Sequence, residues 1–309
     1  MKHECLVWIL LISAALTGCG GGGGGGDTSS ASQSGGGGGG VTLSITAFSA
    51  GNALNSPRHM VFHAGDLYVA NQGGNNVLKI DSQGGQAVHL TGITSPIGLT
   101  TDGADFYVSG TVAGTGQGIY PFTVGGGALR AQIALCNCYG LVATSTALAS
   151  GGRLYSVNQS TNVVNVFTSA GLRASPAVAD KPTGLAIYSN TVYVTRHDAT
   201  LTAPMSKVNA SDSASDFLSA NALFNNPNGI AINPVNGDMY VVNEGTAGAS
   251  SILKVTSAGV VSQFLSAADG LCSATGVAIS GNALYVSNGV CASGTTAETR
   301  NYILKVSPI

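Results

Sequence analysis

The side chains best suited to acid–base chemistry form three short clusters in a chain that is otherwise poor in charge. These clusters are Arg58-His59, Arg196-His197-Asp198 and Asn243-Glu244. Imidazole and carboxylate groups can move protons near neutral pH, and paired with cations they can also recognise a polar ligand. Two interpretations are therefore open. The clusters are either catalytic groups at the mouth of a channel or hydrogen-bonded polar side chains that fill it.

A six-fold repeat determines where these clusters lie. Its marker is a tyrosine flanked by apolar residues, and successive copies are 39, 48, 38, 47 and 45 residues apart. A unit of this length cannot bury its own apolar face, so the copies must pack against one another. The six copies are centred on Tyr68, Tyr107, Tyr155, Tyr193, Tyr240 and Tyr285.

Each unit reads as four short strands. A strand that is usually opened by Pro-x-Gly comes first, as in Pro96-Ile97-Gly98, and a Gly- or Asn-containing turn leads into the tyrosine strand. Two further strands follow, and long helical periodicity is absent. The pattern predicts an all-β fold, a six-bladed β-propeller of four-stranded antiparallel blades. Glycine is expected on the innermost strands because their backbones converge at the axis.

The last unit lacks its outer strand, because the chain ends just after the third strand of that unit. The segment 45–57 echoes the segment from Asp216 to Pro227, which contains the fourth strand of unit four. We therefore expect residues 41–50 to pair beside residues 303–306 and to close the ring, which removes an open sheet edge.

The repeat resembles the NHL family of six-bladed β-propellers. The likeness is carried by Pro-x-Gly-(Ile/Leu), by Leu67-Tyr68-Val69-Ala70-Asn71 and by Asn75-Asn76-Val77-Leu78-Lys79-Ile80, and it covers residues 41–309. Such propellers serve as enzymes, sensors and interaction platforms, so the resemblance implies a fold rather than an activity.

Candidate ligand-binding residues collect on the top face, which is where the first strands begin and the tyrosine strands end. Position three after each tyrosine is Asn, Arg or Gly, and the first strands add further side chains. The alternative is that the asparagines only tie loop backbones as Asx-turns. The predicted top-face residues are Arg58, His59, Asn71, Tyr139, Asn158, Arg196, His197, Asp198, Asn228, Asn243, Glu244 and Asn288.

One stretch is similar to the SMP-30/gluconolactonase propellers, in which an Asn on an inner strand and an acid after a tyrosine strand help to hold a divalent cation. Asn228 matches the first, but Asn243 stands in place of the acid, with Glu244 adjacent. Arg58-His59 occupies the region of that family's other glutamate. No metal site and no cofactor are therefore predicted. A Ca²⁺-dependent hydrolase or lyase at the channel mouth stays as the alternative function.

The N-terminus predicts an envelope lipoprotein. A basic start and an apolar run over residues 6–16 end in Leu16-Thr17-Gly18-Cys19, which looks like a bacterial lipobox with Cys19 as the lipidated residue. An ordinary signal peptide cut nearby is the alternative. On the first reading residues 1–18 are the signal peptide, and residues 19–40 are the lipidated cysteine and a flexible Gly-rich linker. Gly20 after the cysteine favours the outer membrane.

The composition fits a tethered, extracytoplasmic binding domain. Only 8% of residues are charged and the net charge is −2, so no basic surface for nucleic acid is expected. We expect a monomer that binds a protein, peptide or glycan on its top face and meets the membrane only through its lipid anchor.

Four cysteines remain once Cys5 and Cys19 are set aside. Cys272 precedes the sixth inner strand and Cys291 lies in the loop after the sixth tyrosine strand, so the two are predicted to pair in an oxidising compartment. Cys136 and Cys138 could close a small ring with Asn137, and their pairing is left open.

Overall fold

A computed structural model shows six antiparallel sheets around one axis, five of four strands and one of five, which confirms the predicted six-bladed propeller. It describes residues 31–33 (as backbone), 42–51, 53–197, 203–245, 249–289 and 301–309. Within these residues there are only three short 3₁₀ helices, Gln72–Gly74, Leu148–Ser150 and Ala267–Asp269. None of the described helices is long and apolar enough to cross a bilayer.

The strands follow the repeat, and the first strand of each blade lies nearest the axis. Before blade one come β1 (Ala31–Gln33) and β2 (Leu43–Ala50). The blades are: one, β3 (Pro57–His63), β4 (Asp66–Asn71), β5 (Asn76–Ile80) and β6 (Gln86–Leu90); two, β7 (Leu99–Thr101), β8 (Asp105–Val112), β9 (Gly116–Thr123) and β10 (Ala134–Leu135); three, β11 (Cys138–Ala143), β12 (Leu154–Asn158), β13 (Val163–Thr168) and β14 (Gly171–Ala174); four, β15 (Pro182–Tyr188), β16 (Thr191–Arg196), β17 (Met205–Val208) and β18 (Ala214–Asp216); five, β19 (Pro227–Ile232), β20 (Met239–Asn243), β21 (Ser251–Val255) and β22 (Val261–Leu265); six, β23 (Gly276–Ser280), β24 (Ala283–Asn288) and β25 (Tyr302–Ser307).

The N-terminal strand closes the ring as predicted. β2 pairs antiparallel with β25, from Ser44 opposite Ser307 to Ala50 opposite Tyr302, and supplies the outer strand that blade six lacks. β1 adds a fifth strand beyond β2, within the segment for which the composition predicted a coil.

The apolar core is divided into six clusters, one between each pair of neighbouring blades. Every repeat tyrosine belongs to the cluster shared with the next blade, whereas its neighbours Leu67 and Val69, for example, face the previous one. This alternation is the ordinary two-residue period of a strand whose faces are both covered. The repeat tyrosine is therefore an interblade residue.

Glycines on the inner strands allow the blades to touch at the axis. A Cβ added to any of five inner-strand glycines would lie only 2.1 to 2.6 Å from a carbonyl oxygen of the next blade. The pairs are Gly98 with Tyr139, Gly140 with Thr183, Gly184 with Asn228, Gly229 with Thr275 and Gly276 with Arg58. The sixth position is His59, whose N–H donates to the carbonyl of Ile97 at 3.2 Å.

Hydrogen bonds join the blades at this ring in two ways. In blades two and six a buried serine of the second strand mediates the contact. Ser109 Oγ accepts the Gly98 N–H at 2.7 Å and donates to the Tyr139 carbonyl at 3.0 Å, and Ser287 joins Gly276 to Arg58 in the same way. Thr195 does so in blade four. Blades one and five bond directly, with Gly229 N–H donating to Thr275 at 3.1 Å.

The ring contact predicts the effect of one added methyl group. Gly98→Ala places a Cβ against the Tyr139 carbonyl, which is backbone and cannot move aside, so we expect the free energy of unfolding to fall by about 1–3 kcal/mol. Chemical denaturation measures it. Gly125→Ala is the control, because a Cβ there meets nothing within 4 Å and should change stability by less than about 0.5 kcal/mol. Equal stability of the two variants would contradict the assigned ring contact.

Candidate functional site

The inner strands open onto a cavity of about 220 Å³ on the top side of the glycine ring, here called the axial cavity. The residue that precedes the ring position contributes to its wall in every blade, so the six-fold repeat itself builds the site. The second strands and the loops add the remaining side chains. The wall consists of Arg58, His59, Gln72, Ile97, Tyr139, Gln159, Lys181, Thr183, His197, Asn228, Glu244 and Thr275.

His59 separates this cavity from a smaller, apolar one. The second cavity, of about 40 Å³, is lined in every blade by the residue after the ring position, for example Met60 and Leu99, and His59 lines both spaces. Its volume is close to that of one water molecule, ~30 Å³. Because His59 replaces the glycine of the other blades, its side chain lies between the two cavities on the axis.

Burial keeps the His59 imidazole neutral. Burial, and then the nearby charge of Arg58, lower the pKa of His59 to about 4, although a hydrogen bond with the Asn228 side chain acts in the opposite direction. At neutral pH the ring is thus an uncharged donor and acceptor. It contributes no positive charge to the wall.

A hydrogen-bonded triplet occupies the wall formed by blades four and five. His197 Nε2 lies 3.1 Å from Glu244 Oε2, and the Asn228 amide donates to the same oxygen at 3.3 Å. The hydrogen bond to Glu244 raises the pKa of His197, and the same bond lowers the pKa of Glu244. Both side chains are about one-third exposed, so they face the cavity rather than the core.

Two cations complete the electrostatics of the wall. The Nε of Arg58 donates to Gln72 Oε1 at 2.7 Å, and the charge of Arg58 also lowers the pKa of Glu244. The charge of Lys181 lowers the pKa of His197, whereas Glu244 raises it. Glu244 is the only carboxylate among the described wall residues.

Three of the predicted asparagines are buried away from the cavity. Asn71, Asn243 and Asn288 end the tyrosine strands of their blades, and each side chain ties down the segment before its own inner strand. Asn71 accepts the Asn55 N–H at 2.6 Å and donates to the Ala53 carbonyl at 2.8 Å. Asn243 holds residues 223 and 225, and Asn288 holds residues 270 and 272, in the same way. These asparagines do hold loop backbones in place. Their partners are 16 to 20 residues away, however, whereas an Asx-turn uses a neighbouring residue.

Asn158 and Arg196 also lie outside the cavity wall. The Asn158 side chain accepts the Ser160 N–H at 3.0 Å, which is the expected Asx-turn. Arg196 is 2% exposed and crosses its own blade, where it meets Asp216 Oδ1 at 2.8 Å on the outer strand. The structure therefore brings Arg58, His59, Tyr139, His197, Asn228 and Glu244 together on the wall, while Asp198 lies outside the described residues.

Two of the wall residues that the sequence did not predict share one position. Gln72 and Gln159 lie four residues after their repeat tyrosines, as do His197 and Glu244, directly after each tyrosine strand ends. Position three turns into the blade and position four turns to the axis. A comparison of position four across the six units would have found both glutamines, whereas Lys181 has no such signal.

One of the four cysteines of the folded domain lies beside the wall. Cys136 and Cys138 are disulfide-bonded to each other, and Cys138 directly precedes the wall residue Tyr139. Cys272 is disulfide-bonded as well. Its predicted partner Cys291 lies outside the described residues, as does Cys19, so that pairing and the lipidation stay predictions.

The donor set does not fit a calcium ion. The described residues contain no group of three or more His, Cys, Asp and Glu side chains that could hold a metal. Calcium takes six to eight oxygen ligands, while the wall offers one carboxylate that His197 and Asn228 already engage. The positive charge of Arg58 acts on the same carboxylate.

Comparisons with known proteins support the fold. No protein-family model and no curated protein matches the sequence. A gluconolactonase from Xanthomonas campestris superposes with a TM-score of 0.65 at 14% identity, over 86% of this chain and 90% of that one. Virginiamycin B lyase from Staphylococcus aureus gives 0.57 at 14% identity, over 84% and 82%. Aldose sugar dehydrogenase from Streptomyces coelicolor gives 0.63 at 12%, over 86% and 98%. At these identities the likeness shows a propeller fold.

The triplet predicts how His197 titrates. Glu244→Gln removes the carboxylate that holds the imidazolium, so the pKa of His197 should fall toward 6.5, as followed by NMR of its ring protons. Asp238→Asn is the control, because it breaks the Asp238–Lys254 ion pair, which is not part of the wall. A His197 pKa unchanged by Glu244→Gln would contradict the pairing.

The same pair fixes a pH window for stability. The raised pKa of His197 gives a contribution that is complete below 6.5 and is lost as pH rises through its folded value. The lowered pKa of Glu244 gives one that is complete above 4.5 and is lost as pH falls through its folded value. The advantage of the parent chain over Glu244→Gln should therefore be largest between pH 4.5 and 6.5.

Proposed function

We propose that the protein is a membrane-tethered, extracytoplasmic propeller that binds a polar ligand, a segment of a protein, peptide or glycan, in the axial cavity. The observation that carries the proposal is the composition of the wall. All six blades contribute at least one residue to it, and amide, hydroxyl and charged groups converge on one space. Polar groups that converge on a concave site fix the orientation of a ligand and provide specificity.

The internal bonds of the wall favour binding over the metal-dependent alternative, because the wall's one described carboxylate is already engaged. Glu244 is held by His197 and Asn228, and Arg58 is held by Gln72, so the side chains are positioned before a ligand arrives. The hydroxyls of Thr183 and Thr275 donate to proline carbonyls of the next blade at 3.0 and 2.9 Å. These bonds fix the shape of the wall. They leave Gln159, Tyr139, Lys181 and the terminal nitrogens of Arg58 to meet the ligand.

Ligand-observed NMR on the full chain tests this function, with a panel of monosaccharides, sugar acids and N-acetylated amino acids as probes. Gln159→Ala should weaken any probe bound in the cavity by about 2- to 12-fold, the value of one neutral hydrogen bond. Gln263→Ala, an exposed glutamine on the outer strand of blade five, should have no effect. Equal affinities for the two variants would place the binding site elsewhere, and a panel without binders would count against the function.

The tether rests on the N-terminal sequence, in which an apolar run leads to Leu16-Thr17-Gly18-Cys19. If Cys19 carries lipid, the parent chain partitions with membranes after a salt wash and Cys19→Ala does not, since a lipid chain adds about 0.8 kcal/mol of membrane affinity per buried methylene. Cys5→Ala is the matched control and should partition like the parent. A Cys19→Ala chain that stays with the membranes would rule out this anchor.

A further inference from the structure

The axial cavity concentrates positive charge in a chain whose net charge is −2. Arg58 and Lys181 both line it, although the whole chain has only 12 lysines and arginines. The only negative charge among the described wall residues is the Glu244 carboxylate, and His59 is neutral at physiological pH. The described wall therefore has a surplus of one positive charge, and of two when His197 is protonated.

The surplus is not neutralised within the described part of the wall. Glu244 accepts from Asn228 and pairs with His197 through the same oxygen, and neither cation lies within ion-pair distance of it. Among the described residues, Arg58 bonds only through Nε to the neutral Gln72, which leaves the two terminal guanidinium nitrogens for a ligand. The Lys181 side chain is exposed at the rim and has no ion pair with a described carboxylate.

The remaining wall groups suit hydroxyl or amide groups of a ligand. The amides of Gln72 and Gln159 can donate and accept, and so can the phenol of Tyr139. The volume corresponds to about seven water molecules at ~30 Å³ each, which is the scale of a single sugar ring or one amino acid unit.

We propose that the axial cavity binds a small organic carboxylate, whose carboxylate group lies against Arg58 and Lys181 while Gln159 and Tyr139 contact its hydroxyl or amide groups. This inference rests on the proposed function of the same cavity and names its ligand class. A guanidinium fork matches the planar carboxylate. A dianion such as phosphate is disfavoured because the Glu244 carboxylate lies in the same wall.

Two matched pairs of probes test the charge requirement. Calorimetry on the full chain compares D-glucuronate with D-glucose, and N-acetylglycine with N-acetylglycine amide, with inorganic phosphate as a fifth probe. In at least one pair the carboxylate should bind at least 10-fold more tightly than its neutral partner, and more tightly than phosphate. Arg58→Gln should weaken that carboxylate by about 10- to 100-fold, the range of a hydrogen bond between charged groups, and Lys181→Gln should weaken it less.

Arg173→Gln is the control, because Arg173 pairs with Asp212 on the outer side of the propeller and should not affect binding. Circular dichroism shows whether each variant is folded, and Lys181→Gln changes an exposed side chain that the core does not use. If neutral probes bind as well as the carboxylates, the carboxylate inference is wrong and the binding function stands. If phosphate binds as tightly, the cavity is a general anion site and the inference is also wrong. If no probe binds, both proposals fail together.

Discussion

The contact on which the rest of the structure depends is the approach of an inner-strand glycine to a carbonyl oxygen of the next blade. Because no Cβ stands between them in five of the six blades, the inner strands can meet in one closed ring. This close contact fixes the position of every inner strand along the propeller axis. The residue before each ring position then lines the polar axial cavity, and the residue after it lines the apolar one. The site is thus a direct consequence of how the blades pack.

The ring has one exception, and that exception gives the site its asymmetry. His59 is the only ring residue with a side chain, so the axis is filled from the side of blade one. It hydrogen-bonds with Asn228 of blade five, which also donates to Glu244. A line of polar contacts therefore runs from the plug on the axis through Asn228 to His197 on blade four. A change at any of these side chains alters what a ligand meets in the cavity.

Most of the fold could be predicted from the sequence because the tyrosine repeat reflects how the blades pack. Each repeat tyrosine packs against the next blade. The closing strand was predictable for the same reason, since residues 45–57 echo the segment that begins where the fourth strand of blade four ends. The site was predicted less well. Inner-strand residues such as Tyr139 and Asn228 are placed by the glycine that follows them, and Arg58 holds the equivalent position before His59. Position three and position four lie at the ends of the tyrosine strands, where a loop decides which side chain turns to the axis. Spacing alone cannot decide this, so it predicts Asn71 on the wall where Gln72 lies, and it predicts both Asn243 and Glu244 although only Glu244 lines the cavity.

The energetics of the wall follow from the low charge density of the whole chain. A domain with few charges has few surface ion pairs to distribute, and each exposed pair would contribute little in any case. Here several of the charged side chains line the axial cavity, and neutral amides hold Arg58 and Glu244 in position. The disulfide between Cys136 and Cys138 adds a covalent constraint next to Tyr139. A ligand that enters such a wall orders few side chains that were free before, so less of its interaction energy is lost to conformational entropy. A small cavity of about 220 Å³ can on this account bind selectively, because the direction of its donors is set by the ring before any ligand arrives.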